Sequence, residues 1–427
     1  MKTPEEFLES KGFVADKLDR RGLIAAFIAE MEAGLKGEPS SLLMIPSYIS
    51  TDGEIPSGSS AAVLDAGGTN FRGAVVSLPP AISEKQNQAM PGTHGEVDEE
   101  TFYGAFVNEI RRVQGKANAR KIGFCFSYPA ECTPDGDAKL IRWTKGVQAP
   151  AIIGQLVGSE ITRRLDGKTP LVVLNDTVAT LLAGKATEGD RPYSSYLGFI
   201  LGTGTNTAYV EKNVNIVKAT GLNPSGTMII NSESGNFDKV PQSEFDVAVD
   251  RKTTNAGEHF FEKMISGAYL GPLGLEIYKA AAKEGYFSSA AANRIGGLAA
   301  LETMDFDNFC AGFRKEGRDN VLDAIFVDEA DQRVARRLGL PVFERAAILT
   351  AIHLAAFAIK TGAGGEATAP ININIDGSTY YKTRAIPFDA SVRRELDALL
   401  VAERNVHYAI TQVDDAPMVG AGVAAML

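Results

Sequence analysis

An α/β protein of two duplicated halves facing a cleft is the fold the sequence predicts, from its length and from a glycine turn that recurs. The 427 residues exceed one ordinary core, so two domains or one large α/β unit with a cleft is expected. AAVLDAGGTNFRGAVVSL at 61–78 reads as strand, glycine turn and strand. YLGFILGTGTNTAYVE at 196–211 repeats the pattern, with Gly-Thr-Asn at both 68–70 and 204–206. A third strand ending in an acid, INIDGSTYY at 373–381, follows Asn372 and delivers Asp376 and Gly377. Internal duplication accounts for these recurrences, and a glycine turn opening each half suggests a nucleotide held between them.

Composition bounds the function. Hydrophobic residues at 44% and charged residues at 22% are those of a globular protein. The net charge of -10 argues against a nucleic-acid partner while leaving room for a local basic patch around an anionic ligand. Cys125, Cys132 and Cys310 lack the spacing of zinc or redox sites, so a reduced, cytoplasmic protein is expected. His94, His259, His353 and His407 are scattered without metal-site spacing and read as structural. The first thirty residues lack a signal-peptide pattern, and no stretch approaches the ~20 apolar residues of a membrane span, so no membrane partner is expected.

In chain order, Thr3, Pro4 and Glu6 form a helix-start signature, and the helix should stop at Gly12. Leu23, Phe27, Met31 and Leu35 give a second helix one buried face. Val63 and Leu64 end a strand, and Arg72 to Leu78 returns as another. Between them, Gly67 and Gly68 let a backbone approach a ligand closely, through their missing side chains and access to positive φ. Asp65 beside them is able to hold magnesium through water. Taken alone, a plain hairpin is the simpler reading of this turn. Lys121 to Tyr128 is a strand ending at Ser127 and Pro129, and LIRWTKGV at 140–147 sets Thr144 and Lys145 in a turn closed by Gly146. Lys145 alone would pass as an ordinary surface lysine.

LVVLNDTVATLLAG at 171–184 is a buried strand followed by a helix, with Asn175 and Asp176 at the strand's carboxyl end, where α/β sheets face their ligands. Asp176 is the candidate general base; on this stretch alone, helix capping accounts for it equally well. INSESGNF at 230–237 exposes Asn231 and Glu233 in a loop, and 257–271 reads as one helix carrying Glu262. Hydroxyls, amides and carboxylates gathered at element ends suit a polyol, whose hydroxyls both donate and accept. Pro341 to Gly362 is expected to be a long apolar helix started by Pro341, then a flexible loop to Pro370, with Arg333 to Arg337 on a solvated helix face.

Assembled, these blocks resemble the hexokinase family, sugar kinases of the actin and Hsp70 superfold. The resemblance runs in order from about residue 60 to the C-terminus. LDAGGTNFR is similar to the family's first phosphate motif, FSYP and WTKG to its sugar signature, LNDTVATL to its catalytic-aspartate block and LGTGTN to its second phosphate motif. INSESGNF and FFEKMISGAYLG are similar to further sugar loops, INIDGSTYYK to the adenosine motif, and ERAAILTAIHLAA at 344–356 to the helix beside the adenine. The resemblance implies a two-domain actin-like (ribonuclease H-like) fold. It implies N-terminal helices over 1–58, a small domain of 59–174 with a C-terminal helix at 415–427, and a large domain of 175–414.

Carried over, it makes Ser127, Thr144, Lys145, Asn175, Asp176, Asn206, Glu233 and Glu262 the hexose-binding set, with Asp176 and Lys145 catalytic. Asp65, Gly67, Gly68, Thr69, Asn70 and Arg72 fall in phosphate motif 1, Gly202, Thr203 and Gly204 in phosphate motif 2, and Asp376, Gly377 and Ser378 in the adenosine motif. The implied reaction is transfer of the ATP γ-phosphoryl group to the 6-hydroxyl of a hexose, glucose foremost, with Mg²⁺ held by the phosphates and closure on sugar binding. Three departures stand out: Ser234 where a large residue is usual, Pro272 where a glutamate often follows YLG, and no lysine at Val423. The chain also ends within the expected closing helix. A kinase for another acceptor and a non-catalytic sugar sensor are the rival readings; oligomeric state is not read from the sequence.

Overall fold

The structure is a computed structural model and describes residues 2–54, 58–116, 119–187, 192–314, 317 and 319–427. Helix α1 (Pro4–Ser10) begins with the anticipated capping box, in which Thr3 and Glu6 satisfy each other's backbone amides. Helix α2 (Arg20–Lys36) buries Leu23, Phe27, Met31 and Leu35 as its spacing requires. After the short strand β1 (Ile45–Pro46) come β2 (Ser60–Ala66), β3 (Asn70–Ser77), β4 (Ala81–Ala89), α3 (Glu99–Lys116) and β5 (Ile122–Phe126). The hairpin β6 (Ala130–Cys132) and β7 (Ala138–Leu140), α4 (Val157–Leu165), β8 (Leu171–Leu174) and α5 (Asp176–Ala186) complete the first half.

The second half runs β9 (Ser195–Leu201), β10 (Thr205–Lys212), β11 (Thr227–Asn231), α6 (Glu244–Asp250), α7 (Phe260–Ile265) and α8 (Leu270–Lys283). Helices α9 (Ser289–Gly297), α10 (Thr303–Ala311), α11 (Val321–Ile325) and α12 (Glu329–Thr361) follow. Strand β12 (Ile371–Asp376), α13 (Ser378–Lys382), α14 (Phe388–Leu396), β13 (Tyr408–Thr411) and α15 (Ala416–Met426) close the chain. Among the described residues, one sheet has the order β4-β3-β2-β5-β8 and a larger one β1-β11-β10-β9-β12-β13. In each, a glycine turn joins an antiparallel pair, β2 with β3 and β10 with β9, and parallel strands follow.

Helix α5 lies where the two sheets meet, buried from Thr177 to Gly184. It touches strand β9 with no side chain between: a methyl on Gly198 would stand 2.4 Å from both Thr177 O and Leu181 N. On its other side a methyl on Gly420 of α15 would stand 1.7 Å from Ala179 O. Helix α15 meets the smaller sheet in the same way, since a methyl on Gly123 of β5 would stand 1.9 Å from Ala421 O. Strand β12 alternates: Ile371, Ile373 and Ile375 join the large core, while Asn372 and Asn374, fully buried, face α5. Asn374 Nδ2 donates to Thr180 O at 2.7 Å.

Four expectations are corrected. Helix α12 begins at Glu329, capped by Asp328, so Pro341 lies inside it rather than at its start. The side chains on both sides of Pro341 continue one buried face, and Pro341 and Arg337, whose carbonyl loses its helical partner, lie toward solvent. This 33-residue helix is also long and apolar enough to cross a membrane, contrary to the sequence reading, but 89% of its most apolar stretch is buried within the protein, as in a core helix. The helix expected over 257–271 is two, α7 and α8, broken at Ser266 in an extended conformation. There, Gly267 N and Ala268 N donate to Gly202 O and Thr203 O instead of to a helical turn. Finally, neither Gly67 nor Gly68 has a positive φ; a methyl on Gly68 would meet nothing within 4 Å, so what matters is the open space beside it.

Replacing Gly420 by alanine should lower stability to urea by about 3 kcal/mol or more, because backbone cannot yield as a side-chain tip can. Gly104→Ala in α3, where a methyl meets nothing within 4 Å, should be neutral or stabilising. Equal midpoints for the two variants would remove the α5–α15 contact from its role.

Candidate active site

Strand β8 ends one residue before α5, and Asn175 rather than Asp176 caps that helix: Asn175 Oδ1 accepts Thr177 N at 2.8 Å. The capping explanation of Asp176 is thereby corrected. Asp176 is the first helical residue, its carboxylate accepting Thr177 Oγ1 at 3.3 Å, with its charge next to the positive end of the helix.

Facing it is a shelf built by the ends of β10 and β11. Asn206 Oδ1 accepts Thr207 N at 2.7 Å and Ser234 N at 3.2 Å, which fixes which end of that amide is oxygen. Its Nδ2 donates to Asn231 Oδ1 at 2.7 Å and to Glu233 Oε1 at 3.3 Å, and Asn231 Nδ2 donates to Glu233 Oε1 at 2.8 Å. Glu262 accepts Thr205 N at 2.9 Å across Gly204, where a methyl would stand 2.6 Å from Glu262 Oε2. Burial raises the Glu233 carboxyl above its ordinary 4.5, Asn231 opposes this, and the Asp176 charge adds to it. Glu262 is raised by burial as well, with Thr205 N opposing it; the neighbouring Glu233 adds to the rise, and Lys145 draws it down.

The opposite wall comes from the smaller sheet. Lys145 Nζ donates to Ser127 O at 3.0 Å and to Gly67 O, tying the first glycine turn to the end of β5. Tyr128 OH holds the same turn through Gly68 O at 2.9 Å. Thr144 precedes Lys145 in a half-buried turn, and Thr144 O accepts Val147 N at 3.4 Å. Lys145 and Glu233 both take the left-handed backbone conformation, φ 58 and φ 55, which costs a non-glycine residue about 1–3 kcal/mol and gathers at functional sites.

Deeper in, Arg72 spans Asp65 and Asp415: its Nε lies 3.0 Å from Asp65 Oδ2 and its NH1 2.8 Å from Asp415 Oδ1. Lys85 holds Asp415 from the other side at 2.6 and 2.7 Å. Thr69 and Asn70 lie on the exposed side of the turn, Asn70 Nδ2 reaching Thr69 Oγ1 at 3.4 Å. The second glycine turn is anchored through Gly202 O, which accepts Gly267 N and Thr379 Oγ1, each at 2.8 Å. Gly377 packs on it at φ 126, where a methyl would stand 2.2 Å from Leu201 O, so Asp376 and Ser378 flank this turn. Thr203 lies on the exposed rim.

Asp65 and Asp376 are each raised by burial, and each is raised further by the charge on Asp176. The charge on Asp176 thus bears on both Asp65 and Asp376, and a hydrated divalent cation with a phosphate chain beside them would offset that negative charge, so the residues fit Mg²⁺ and a nucleotide. Among the described residues, no three His, Cys, Asp or Glu side chains converge to ligate a metal directly. Sequence reasoning singled out Asn231 beside Glu233 but left it out of the hexose-binding set, and it missed Asp415 and Lys85. The Asp-Asp pair ahead of Pro417 was a usable helix-start signal, whereas Lys85 on an exposed polar strand offered none.

Residues 6–186 and residues 196–427 match two family models, each described as hexokinase. Hexokinase-5 of Oryza sativa subsp. japonica is 37% identical over 281 residues, 59% of this chain and 54% of that protein. Hexokinase-1 of Nicotiana tabacum is 35% identical over 326 residues, 70% of this chain and 64% of that protein. The matches thus span little more than half to under two thirds of these relatives' lengths. A Schistosoma mansoni hexokinase solved with glucose superposes over all of both chains with a TM-score of 0.76 at 23% identity, and a second hexokinase crystal structure over 99% of each at 0.79 and 24%. These likenesses show the fold, the two-domain actin-like ATPase fold.

Because burial raises Glu233, its neutral form favours the folded chain: this contribution is full below the unfolded value of 4.5 and is lost as pH rises through the folded one. Glu233→Gln should therefore exceed the parent in thermal midpoint at pH 8 without ligand, with the gap closing toward pH 4. A gap of constant size would refute this.

Proposed function

Because the chain belongs to the hexokinase family, we propose that it transfers the γ-phosphoryl group of ATP to the 6-hydroxyl of a hexose, glucose foremost. The observation that carries this reading is the shelf of Asn206, Asn231, Glu233 and Glu262, its donors and acceptors already oriented, facing Asp176 at the head of a buried helix. Such a shelf suits several adjacent hydroxyls, and the acid beside it suits removal of one proton.

Ser127, Thr144, Asn175, Asn206, Glu233 and Glu262 hold the hexose hydroxyls, which places the 6-hydroxyl at Asp176. Asp176 accepts its proton as the oxygen attacks phosphorus and ADP departs. Lys145 has three N–H donors and spends two on Gly67 O and Ser127 O, leaving one for the transferring phosphoryl group. Gly67, Gly68, Thr69, Asn70 and Arg72 border the terminal phosphates, Gly202, Thr203 and Gly204 the inner ones, and Asp376, Gly377 and Ser378 the nucleoside side. Asp65 is the residue that would hold Mg²⁺, through water, and the ion would supply neutralisation of the phosphate charge.

Residues 59–174 with 415–427 act as a small domain and 175–414 as a large one, on which residues 1–58 pack; the aromatic residues of α1 and α2 share the large sheet's core. Closure of the small domain over bound sugar keeps water from the phosphoryl group. A reducing, cytoplasmic setting suits Cys125, Cys132 and Cys310, all free thiols.

Purified protein with Mg-ATP should form hexose 6-phosphate across a panel of glucose, mannose, fructose, galactose and N-acetylglucosamine, glucose reacting best. Asp176→Ala should lower kcat by ~10²-fold or more while glucose binding partly survives. Sugar binding without turnover in the parent would instead favour a sensor. Small-angle scattering should show compaction on adding glucose, and an unchanged radius of gyration would exclude closure.

A further inference from the structure

Behind the shelf, on the side away from the cleft, His353 of α12 is fully buried among Phe27, Phe199, Phe261 and Phe357, with ring centroids 4.9 to 5.4 Å away. His353 Nε2 lies 3.0 Å from Thr207 Oγ1, and Nδ1 has no hydrogen-bond partner among the described residues. Burial alone holds its pKa down to about 3, so the ring is neutral in any working buffer. A buried imidazole with one nitrogen unsatisfied is a costly way to fill an aromatic cage, since leucine or phenylalanine would fill it without stranding a polar atom. The bond to Thr207 is what a hydrocarbon could not replace. Either tautomer preserves it, because the threonine hydroxyl can donate or accept.

Thr207 is where this bond reaches the site. Ser234 Oγ donates to Thr207 Oγ1 at 3.4 Å, Ser232 N donates to Thr207 O at 3.0 Å, and Thr207 N donates to Asn206 Oδ1. Ser234 N meets the same Asn206 oxygen. Thr207 and Ser234 therefore clamp the carbonyl end of the Asn206 amide, and its other end aims at Asn231 and Glu233. Ser234 is fully buried, and a hydroxyl network fills the space behind the shelf.

We propose that His353 is a positioning residue for the sugar site, acting through Thr207 and Ser234 to fix the orientation of Asn206 and, through it, of Glu233. The inference rests on the reading of that shelf as the hexose site. Losing the His353–Thr207 bond unseats the Thr207 and Ser234 hydroxyls and loosens the two residues whose N–H groups hold the Asn206 oxygen, so sugar affinity falls while the nucleotide side, held by Gly202, Gly267 and Thr379, is untouched.

Thr207→Val, which trades the hydroxyl for a methyl, and His353→Leu should each raise the glucose Kd by calorimetry, and the glucose KM, about tenfold. The KM for Mg-ATP should stay within about twofold of the parent value, as for an interaction confined to one substrate. Thr207→Ser, which keeps the hydroxyl, should restore glucose affinity, and the double variant should lose no more than either single one. Should His353→Leu fail to fold, Thr207→Val and its serine rescue decide the question. Unchanged glucose affinity in folded Thr207→Val, or equal losses for glucose and Mg-ATP, would overturn the positioning role alone. A parent that neither binds nor phosphorylates any hexose would overturn the sugar-site reading, and this inference with it.

Discussion

Backbone contact at α5 is the constraint on which the rest of the molecule depends. The helix meets β9 through Gly198 and α15 through Gly420, so it is gripped between these two elements with no side chain to act as a compliant spacer. Its first residue is Asp176, which follows β8 with only Asn175 between. The acid is thus placed by main-chain packing on two sides and by a cap supplied by its neighbour. Side chains can adopt other rotamers, but a helix wedged between backbones has little freedom to shift. That rigidity suits a base that must meet one particular hydroxyl.

Around that fixed acid the site stores both charge and strain. Asp65, Glu233, Glu262 and Asp376 are all pushed up by burial, and Asp65, Glu233 and Asp376 also feel the charge on Asp176. Lys145 and Glu233 hold left-handed backbones on opposite walls. None of this helps the empty chain to fold. Hydroxyl donors to the shelf and cationic charge beside the aspartates would relieve it, so the ligands are complementary to the very terms that the unliganded protein carries as a cost.

Local signals were the ones the sequence made legible. The capping box at Thr3, the two glycine turns, the strand before Asn175 and the periodic face of α2 depend on neighbours a few residues away, and each appears in the fold. Reading failed where distant residues decide. Pro341 resembles a helix start until the packing of the residues before it is known, and the break at Ser266 exists because the second glycine turn claims two amides from the far side of the sheet. The partnership of Arg72 with Asp415 joins residues 343 apart in sequence, and the clamp on Asn206 depends on Ser234, a small residue with no signature of its own. Whether Asp176 capped its helix was undecidable from composition, since Asn175 and Asp176 suit the position equally; geometry chose the asparagine.

The alternation of β12 has a consequence beyond packing. Its isoleucines fill the large core and its two asparagines meet α5, Asn374 reaching the helix backbone and both side-chain carbonyls accepting Thr411 Oγ1. A slip by one residue against β9 and β13 would thrust both amides into hydrocarbon and set isoleucine against main-chain carbonyls. The strand therefore has a single permitted setting, like a key whose teeth admit one depth. Since Asp376 and Gly377 lie at its tip, the same two asparagines that seem misplaced in an apolar strand determine how far the chain extends before it turns beside Leu201 and Gly202.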